Sequence, residues 1–289
     1  MIDLHIHTIY SDGTWSVSET LAEAQKRNIS ALSITDHNTI DAYNEIEKSL
    51  INYSGRIIRG VEVDCIFNNA KIELLGYDFN DSCMLDVWLR KYYSAEKMEV
   101  FRKGEYNRLL KKLNELGVIN NCDPIYEHQE YLPHTAVYRE IKKHKSNSAF
   151  MSEEEWNDFP TFFRTATTNP KSSFSIDYTG LLPSAEEAAE IIRKANGKVF
   201  IAHVYQYGMI NHIQFIDMLR KYKIIDVIEA YYVEFTKEQT YTLCDYCKQH
   251  KLYMSGGSDC HGSKGNRMIG IGCGDLNVPE NILDEWINK

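Results

Sequence analysis

Ile2-Asp3-Leu4-His5-Ile6-His7, running on into Thr8-Ile9-Tyr10-Ser11-Asp12-Gly13, sets how the rest of the chain is read. Apolar and polar residues alternate from 2 to 6, the period of a short strand with one buried face. His5 and His7 stand two apart, so on a strand both imidazoles point to one side and can reach the same ion. Asp12 follows on the next loop, where its carboxylate can reach a neighbouring ion. Residues 18–27 then read as a helix capped by Ser16 or Ser18. A strand that delivers polar groups into a loop and turns back as a helix is the repeating unit of an α/β fold.

Working outward, the alternation continues. Residues 31–34 read as a strand, 39–50 as a helix and 56–67 as a strand rich in β-branched residues. A turn at Asn68-Asn69 and a return strand over 71–77 follow. His5, His7, Asp36, His37 and Glu62 fall at or just past the ends of these strands, where the loops of α/β barrels and doubly wound sheets converge on one pocket. From 85 to 116 the pattern changes to a long amphipathic helix, with room for a break, stopped by Gly117. Residues 120–180 are rich in Tyr, Phe, Asn, Ser and Thr and show no strand-helix alternation. The alternation resumes with a helix over 184–195, a strand over 198–202 and a helix near 211–221. A strand over 225–229, a helix over 236–250, a strand over 252–254 and a closing helix over 279–288 complete it. The organisation expected is therefore one discontinuous α/β domain, 1–98 and 184–289, carrying an inserted cap or substrate module over 99–183.

The chain of 289 residues is 43% hydrophobic, enough for a substantial core, and carries a formal net charge of −9. That acidity argues against long nucleic acids, which are held mainly by Lys and Arg. It leaves room for a small anionic substrate, because divalent ions in a pocket reverse the local field. No stretch approaches a membrane span and the N-terminus has no signal-peptide pattern, so a cytoplasmic protein is expected. The seven cysteines are scattered and read as free thiols. Cys244 and Cys247 form a C-x-x-C within a helical stretch. With no second pair and no redox-type context, they read as structural.

The chemistry-bearing residues repeat one theme. After His5, His7 and Asp12 come Asp36-His37, Glu62, Glu73, His203 and Asp259-x-His261. Five histidines sit just after predicted strands, four of them beside an Asp or another His. The competing explanation, five separately satisfied core histidines, is disfavoured because buried ionisable groups are costly unless paired or metal-bound. Imidazole and carboxylate together suit zinc, manganese or iron, and the carboxylate-rich positions also accept magnesium.

Four motifs in order, His5-Ile-His7-Thr8 with Ser11-Asp12-Gly13, Ile34-Thr35-Asp36-His37-Asn38, Gly60-Val61-Glu62 and Gly257-Ser258-Asp259-Cys260-His261, resemble the polymerase and histidinol phosphatase (PHP) family. The resemblance covers about 1–80 and 185–275. It implies an irregular (β/α)7 barrel with a mainly helical inserted cap, and a cluster of two or three divalent ions at the strand ends. The ligands it implies are His5, His7, Asp12, His37, Glu62, His203, Asp259 and His261. His5, His7, Glu62 and Asp259 would hold one ion, and Asp12, His37 and His261 a second. Glu62 would bridge to a third, completed by His203 and residue 73. The family usually has His near 73. Glu73 is an oxygen donor instead, which would make the third site prefer a harder ion or hold its ion weakly. Ala202-His203-Val204 replaces the frequent Ala-His-Pro, which loosens the backbone without removing the ligand.

The expected activity is a metal-dependent phosphoric ester hydrolase in which a metal-bridging hydroxide attacks a phosphomonoester, with Asp12, His37, His203 and His261 nearest the reaction. No Ser-His-Asp or G-x-S-x-G signature offers a protein nucleophile. The expected substrate is a small phosphorylated metabolite, a nucleotide such as a nucleoside monophosphate or 3',5'-bisphosphate. A short-oligonucleotide 5'-3' exonuclease and a histidinol-phosphate phosphatase are the alternatives. A non-catalytic metal-binding module is a third possibility from another class. Lys264 and Arg267, close behind the last ligands, together with Arg102, Arg108 and His134, are the candidates for holding phosphate. The aromatics of the insertion either stack a base or form its own small core, the second being favoured.

Overall fold

Capping chemistry fixes where the helices begin. Ser16 with Glu19, Ser184 with Glu187 and Thr236 with Gln239 form reciprocal capping boxes. Each satisfies two backbone N–H groups that a helix end would otherwise leave without partners. The computed structural model describes residues 1–48, 53–126, 131–209 and 211–287. In chain order the elements are β1 (Ile2–Asp3), α1 (Val17–Lys26), β2 (Ala31–Leu32), α2 (Asp41–Lys48), β3 (Arg56–Ile57), β4 (Gly60–Phe67), β5 (Ala70–Tyr77), α3 (Ser82–Tyr93) and α4 (Ala95–Leu116). After these come α5 (Pro133–Ile141), α6 (Glu153–Asn157), α7 (Phe159–Thr168), α8 (Ala185–Lys194), β6 (Lys198–Ile201), α9 (His212–Lys221), β7 (Val227–Tyr232), α10 (Lys237–His250) and β8 (Tyr253–Gly257).

The strands form two sheets. One is parallel, in the order β1-β2-β3. The other runs β4-β5-β6-β7-β8, antiparallel across β4, β5 and β6 and parallel from β6 to β8. Two parallel bridges join their edges, Ile6 with Cys260 and His37 with Glu62. The backbone bonds His7 N to Cys260 O (2.9 Å) and Asn38 N to Glu62 O (2.7 Å) hold these junctions. The strand ends of both sheets therefore lie side by side. Gly257 permits one of the junctions: a Cβ there would sit 2.4 Å from the backbone nitrogen of His5.

Several elements differ from the sequence reading. The single strand expected over 56–67 is two, since β3 pairs with β2 while β4 pairs with β5. Periodicity reports which face is buried, not which partner a strand takes. Glu62 consequently lies near the start of β4 rather than at the end of a strand. The strand expected over 225–229 is displaced toward Tyr231 and Tyr232, with a bulge between Glu229 and Tyr231. The long helix breaks at Ser94, whose extended backbone (φ −57°, ψ 156°) ends α3 and starts α4, and Gly117 (φ 73°) closes α4 in the left-handed region. The closing segment is a 3₁₀ turn over Glu280–Glu285, because it docks Trp286 onto β8, the indole Nε1 donating to Met254 O (3.0 Å). Leu50 and Asn288 lie outside the described residues. Asn68 and Asn69 make the expected tight turn, both with positive φ (49° and 63°), the requirement of a type I′ hairpin.

Two hydrophobic cores result. The larger is packed between the strands and α1, α2, α3, α8, α9 and α10, with Tyr77, Phe200 and Trp286 at its centre. The smaller is made by 101–182 and includes Leu109, Leu113, Val137, Phe162, Phe174 and Tyr178. The aromatics of 120–180 thus divide. Phe162, Phe174, Tyr138 and Tyr178 fill this core, whereas Phe163 faces a cavity. All seven cysteines are free. Cys244 and Cys247 are buried on α10, and burial pushes the Cys247 thiol up to about 12, the state of a packing residue rather than a nucleophile. Among the described residues no helix is long and apolar enough to cross a membrane.

Candidate metal centre

Strand ends, together with the start of β4 and the middle of β5, bring nine side chains to one place. His5 and His7 follow β1, and Asp12 lies on the loop before α1. His37 follows β2, Glu62 and Glu73 come from β4 and β5, His203 follows β6, and Asp259 and His261 follow β8. His5 Nε2 and His7 Nε2 are 3.1 Å apart, and each lies 3.2 Å from Glu62 Oε2. His7 Nε2 is also 3.1 Å from Asp259 Oδ1. His261 Nε2 meets Asp12 Oδ1 at 3.1 Å, and His37 Nδ1 meets Glu62 Oε2 at 3.4 Å. On the other side of Glu62, Oε1 is 3.0 Å from His203 Nε2, which lies 3.4 Å from Glu73 Oε2.

Donor atoms this close form four overlapping groups able to hold a cation: His7, Asp12, His37 and His261; His5, His7 and Asp259; His5, Glu62 and His203; and His37, Glu62 and Glu73. The chemistry of the set fits divalent ions. His37 Nδ1 is buried without a hydrogen-bond partner, and two imidazole nitrogens converge on the same carboxylate oxygen.

Electrostatics point the same way. Burial alone would lower the imidazoles, yet Glu229, Glu62 and Asp259 hold His5 well above its usual value. Against the same burial, hydrogen bonds to Asp259 and Glu62 carry His7 up to about 10, and Glu62 carries His203 to about 9. Burial would raise Glu62 and Asp259, but the histidines keep both well below the carboxylate range. His261 and His37 lower Asp12 in the same way against its burial. Glu73 moves oppositely, raised by burial and by its neighbour Glu62. The pocket thus demands positive charge, which protons and metal ions compete to supply.

A supporting shell orients the cluster, and sequence reasoning missed most of it. Glu229 is fully buried on β7, with Oε1 2.8 Å from His5 Nδ1 and Oε2 accepting from His203 N at 2.6 Å. Its position at the end of a predicted strand was the signal available. Asp3 accepts from the backbone N–H groups of His5, Ser258 and Gly270 and from the Ser258 hydroxyl. Asp36 does not join the cluster; it pins the first loop by accepting from Thr8 N, Thr8 Oγ1 and Ser11 Oγ. Tyr232 donates to Asp259 Oδ2 at 2.7 Å. His203 (φ 20°) and Asp259 (φ 51°) hold strained backbone conformations, as residues at functional sites often do.

The proposed phosphate holders separate. Arg267 is clasped by Asp259 and Glu234. Lys264 is exposed, its Nζ 3.7 Å from Asp12 Oδ2. Arg108 donates to the carbonyls of Asp177 and Thr179, a structural role. Arg102 and His134 lie elsewhere, on α4 and α5. Two adjoining cavities explain this. One of 380 Å³ opens over the cluster, between Asp12, His37, His203 and His261 and the helix α7. The other, of 830 Å³, continues past Lys71 and Tyr93 to Arg102 and His134. Lys71, a further residue not foreseen, lines both and pairs with Asp64 at 2.9 Å.

A sequence profile of the PHP domain matches residues 3–241. The chain belongs to this family, and it is a metal-dependent phosphoric ester hydrolase. The profile ends before Asp259 and His261, which the fold nevertheless places against His5, His7 and Asp12. A 5'-3' exoribonuclease of Haemophilus influenzae is 25% identical over 291 residues, 98% of this chain and 97% of that one. A 3',5'-nucleoside bisphosphate phosphatase of Chromobacterium violaceum is 23% identical over 278 residues, 93% of this chain and 90% of that one. Among solved structures, a Bifidobacterium adolescentis protein described as a metal-dependent phosphoesterase is similar in fold. Its TM-score is 0.63 at 17% identity, over 98% of this chain and 94% of that chain.

Proposed function

We propose that this protein hydrolyses a phosphomonoester of a small phosphorylated metabolite, a nucleotide such as a nucleoside monophosphate or 3',5'-bisphosphate, with two or three divalent ions. The observation that carries the reading is the convergence of five imidazoles and four carboxylates on the floor of a cleft wide enough for such a molecule. The two sheets with bridged edges support reading the main body as the family's irregular (β/α)7 barrel, and the second core supports reading 99–183 as an inserted cap.

His5, His7, Glu62 and Asp259 would hold one ion and Asp12, His37 and His261 a second. Glu62, His203 and Glu73 offer a third position, where the added carboxylate favours manganese or magnesium over a softer ion. The ions supply charge neutralisation for the phosphoryl oxygens and a lowered pKa for attacking water. The protein's own contribution is placement. Fully buried His5 and His7 fix the floor, while the more exposed Asp12, His37, His203 and His261 face the cleft nearest the reacting atoms. Lys264, exposed and paired with Asp12, would offer its ammonium to a phosphoryl oxygen from that side. Arg267 instead steadies Asp259.

A second reading, 5'-3' removal of nucleotides from short oligonucleotides, is favoured by the Haemophilus relative, which aligns over almost the whole chain. Completeness of the donor set weighs against a silent binding module. Phosphate release from AMP and p-nitrophenyl phosphate, compared with nucleotide release from a short 5'-phosphorylated RNA, separates the readings. Faster turnover of the monoesters is expected. Activity on the RNA alone would replace the monoesterase reading by the exonuclease one, and inactivity on all substrates with every metal would refute both.

A further inference from the structure

Away from the metal cluster, the 830 Å³ cavity ends against the start of α5. This helix has no side-chain cap. Its N-cap is Leu132, and Pro133 at the first turn has no N–H to offer. The backbone N–H groups of His134 and Thr135 find no acceptor among the described residues. Free N–H groups and the positive end of the helix dipole make such a terminus attractive to anions.

A second observation at the same place is independent of the helix. His134 is 1% exposed and lines the cavity, yet Nε2 has no hydrogen-bond partner. Nδ1 lies 3.4 Å from Glu105 Oε1, within ion-pair reach but without hydrogen-bond alignment. The ring is steadied by edge-on contact with Phe163 (5.4 Å between centroids). A buried imidazole nitrogen without a partner is costly unless something fills its need. An N–H at Nε2 would find its acceptor in an anion held in this cavity. Arg102, exposed at the same cavity, makes no ion pair among the described residues.

We propose that the start of α5, His134 and Arg102 form an anion subsite in the insertion that holds a second phosphate or phosphodiester group of the substrate, while the first lies at the metal cluster. This rests on the phosphoesterase reading for what happens at the metal end, and adds to it a requirement on the substrate. The substrate it favours carries two separated anionic groups, joined by a body that spans the cleft past Lys71 and Phe163. A metabolite with one phosphate would leave this end empty.

The test is equilibrium binding by calorimetry to the metal-loaded full chain with every metal ligand intact, turnover being blocked by non-hydrolysable phosphonate probes. The probes are the phosphonate analogues of a nucleoside 3',5'-bisphosphate and of the corresponding 3'- and 5'-monophosphates. The bisphosphate should bind roughly tenfold or more tightly than either monophosphate, the scale of one added charge-assisted hydrogen bond. Adding Arg102→Ala, which alters an exposed side chain, or His134→Gln, checked for folding by circular dichroism, should erase that advantage. Equal binding of mono- and bisphosphate, or an advantage that survives Arg102→Ala, overturns the subsite. Because the readout is binding, it stays informative even if no phosphoester proves to be a substrate, an outcome that would sink the catalytic reading alone.

Discussion

The floor of the cleft is made by residues of the two sheets and its far wall by the helices α4, α5 and α7, and the two are held by different forces. On the floor, nine titratable side chains face one another because backbone pairing between two sheets leaves them nowhere else to point. Buried partners such as Glu229 and Asp3 orient them. In the far wall, α4, α5 and α7 are held by a small aromatic core, and the groups turned to the cleft, Arg102, His134 and Phe163, are few and sparsely tied. A rigid, charge-dense floor suits chemistry common to a family. A separate helical wall can change its contacts without disturbing that floor, which is where substrate choice can reside.

The division can be broken at its strongest point. Replacing Asp12 and His37 together by Ala should reduce phosphate release by about 10³-fold or more, the scale of lost preorganised charge. Circular dichroism should show the fold intact, because both side chains lie at the open side of the cluster. Retained turnover would remove the metal centre from the mechanism.

In the smaller core the corresponding change is Phe162→Ala. Phe162 is fully buried against Tyr138 and Phe174, so denaturant unfolding should report a loss of roughly 3–5 kcal/mol. Metal content should not change, since no side chain of that core touches the cluster. A parallel loss of metal would show that floor and wall are one unit.

Glu229→Gln sharpens the account of the floor, keeping shape while removing the charge that orients His5 and accepts from His203 N. Metal affinity should weaken about 10- to 100-fold, as for other outer partners of metal ligands, measured by competition with a chromophoric chelator. An unchanged affinity would reduce Glu229 to a packing residue.

The smallest expected effect is in pH dependence. His7 has its pKa raised from 6.5 to about 10 by folding. Its contribution is therefore fully present below pH 6.5 and is lost as pH rises through about 10. The melting temperature of chelator-treated protein should fall across that window by a few degrees. Metal-loaded protein should not show this fall, because bound ions require the neutral imidazoles. A flat profile after chelation would contradict the pairing of His7 with Glu62 and Asp259.

Much of this was legible in the sequence, for identifiable reasons. The helix starts at Ser16, Ser184 and Thr236 carry their own signal, a hydroxyl followed three residues later by Glu or Gln. The His5-x-His7 and Asp259-x-His261 spacings likewise state a chemistry locally. What stayed hidden depends on tertiary neighbours. Glu229 looks like an ordinary end of an apolar strand until His5 and His203 are seen against it. Lys71 looks like a surface residue beside a turn until Asp64 and the insertion enclose it. Arg267 reads from the sequence as a phosphate holder, but that Asp259 and Glu234 flank its guanidinium is visible only in the fold. The split of 56–67 into β3 and β4 was invisible for the same reason, since alternation records burial and not partnership.

The most direct test of the central claim is elemental analysis of protein purified without added metal, paired with phosphate release before and after chelation. The account predicts two to three divalent ions per chain, with activity that is lost on chelation and restored by manganese, zinc, iron or magnesium. A metal-free protein that hydrolyses phosphoesters regardless of chelator would contradict it.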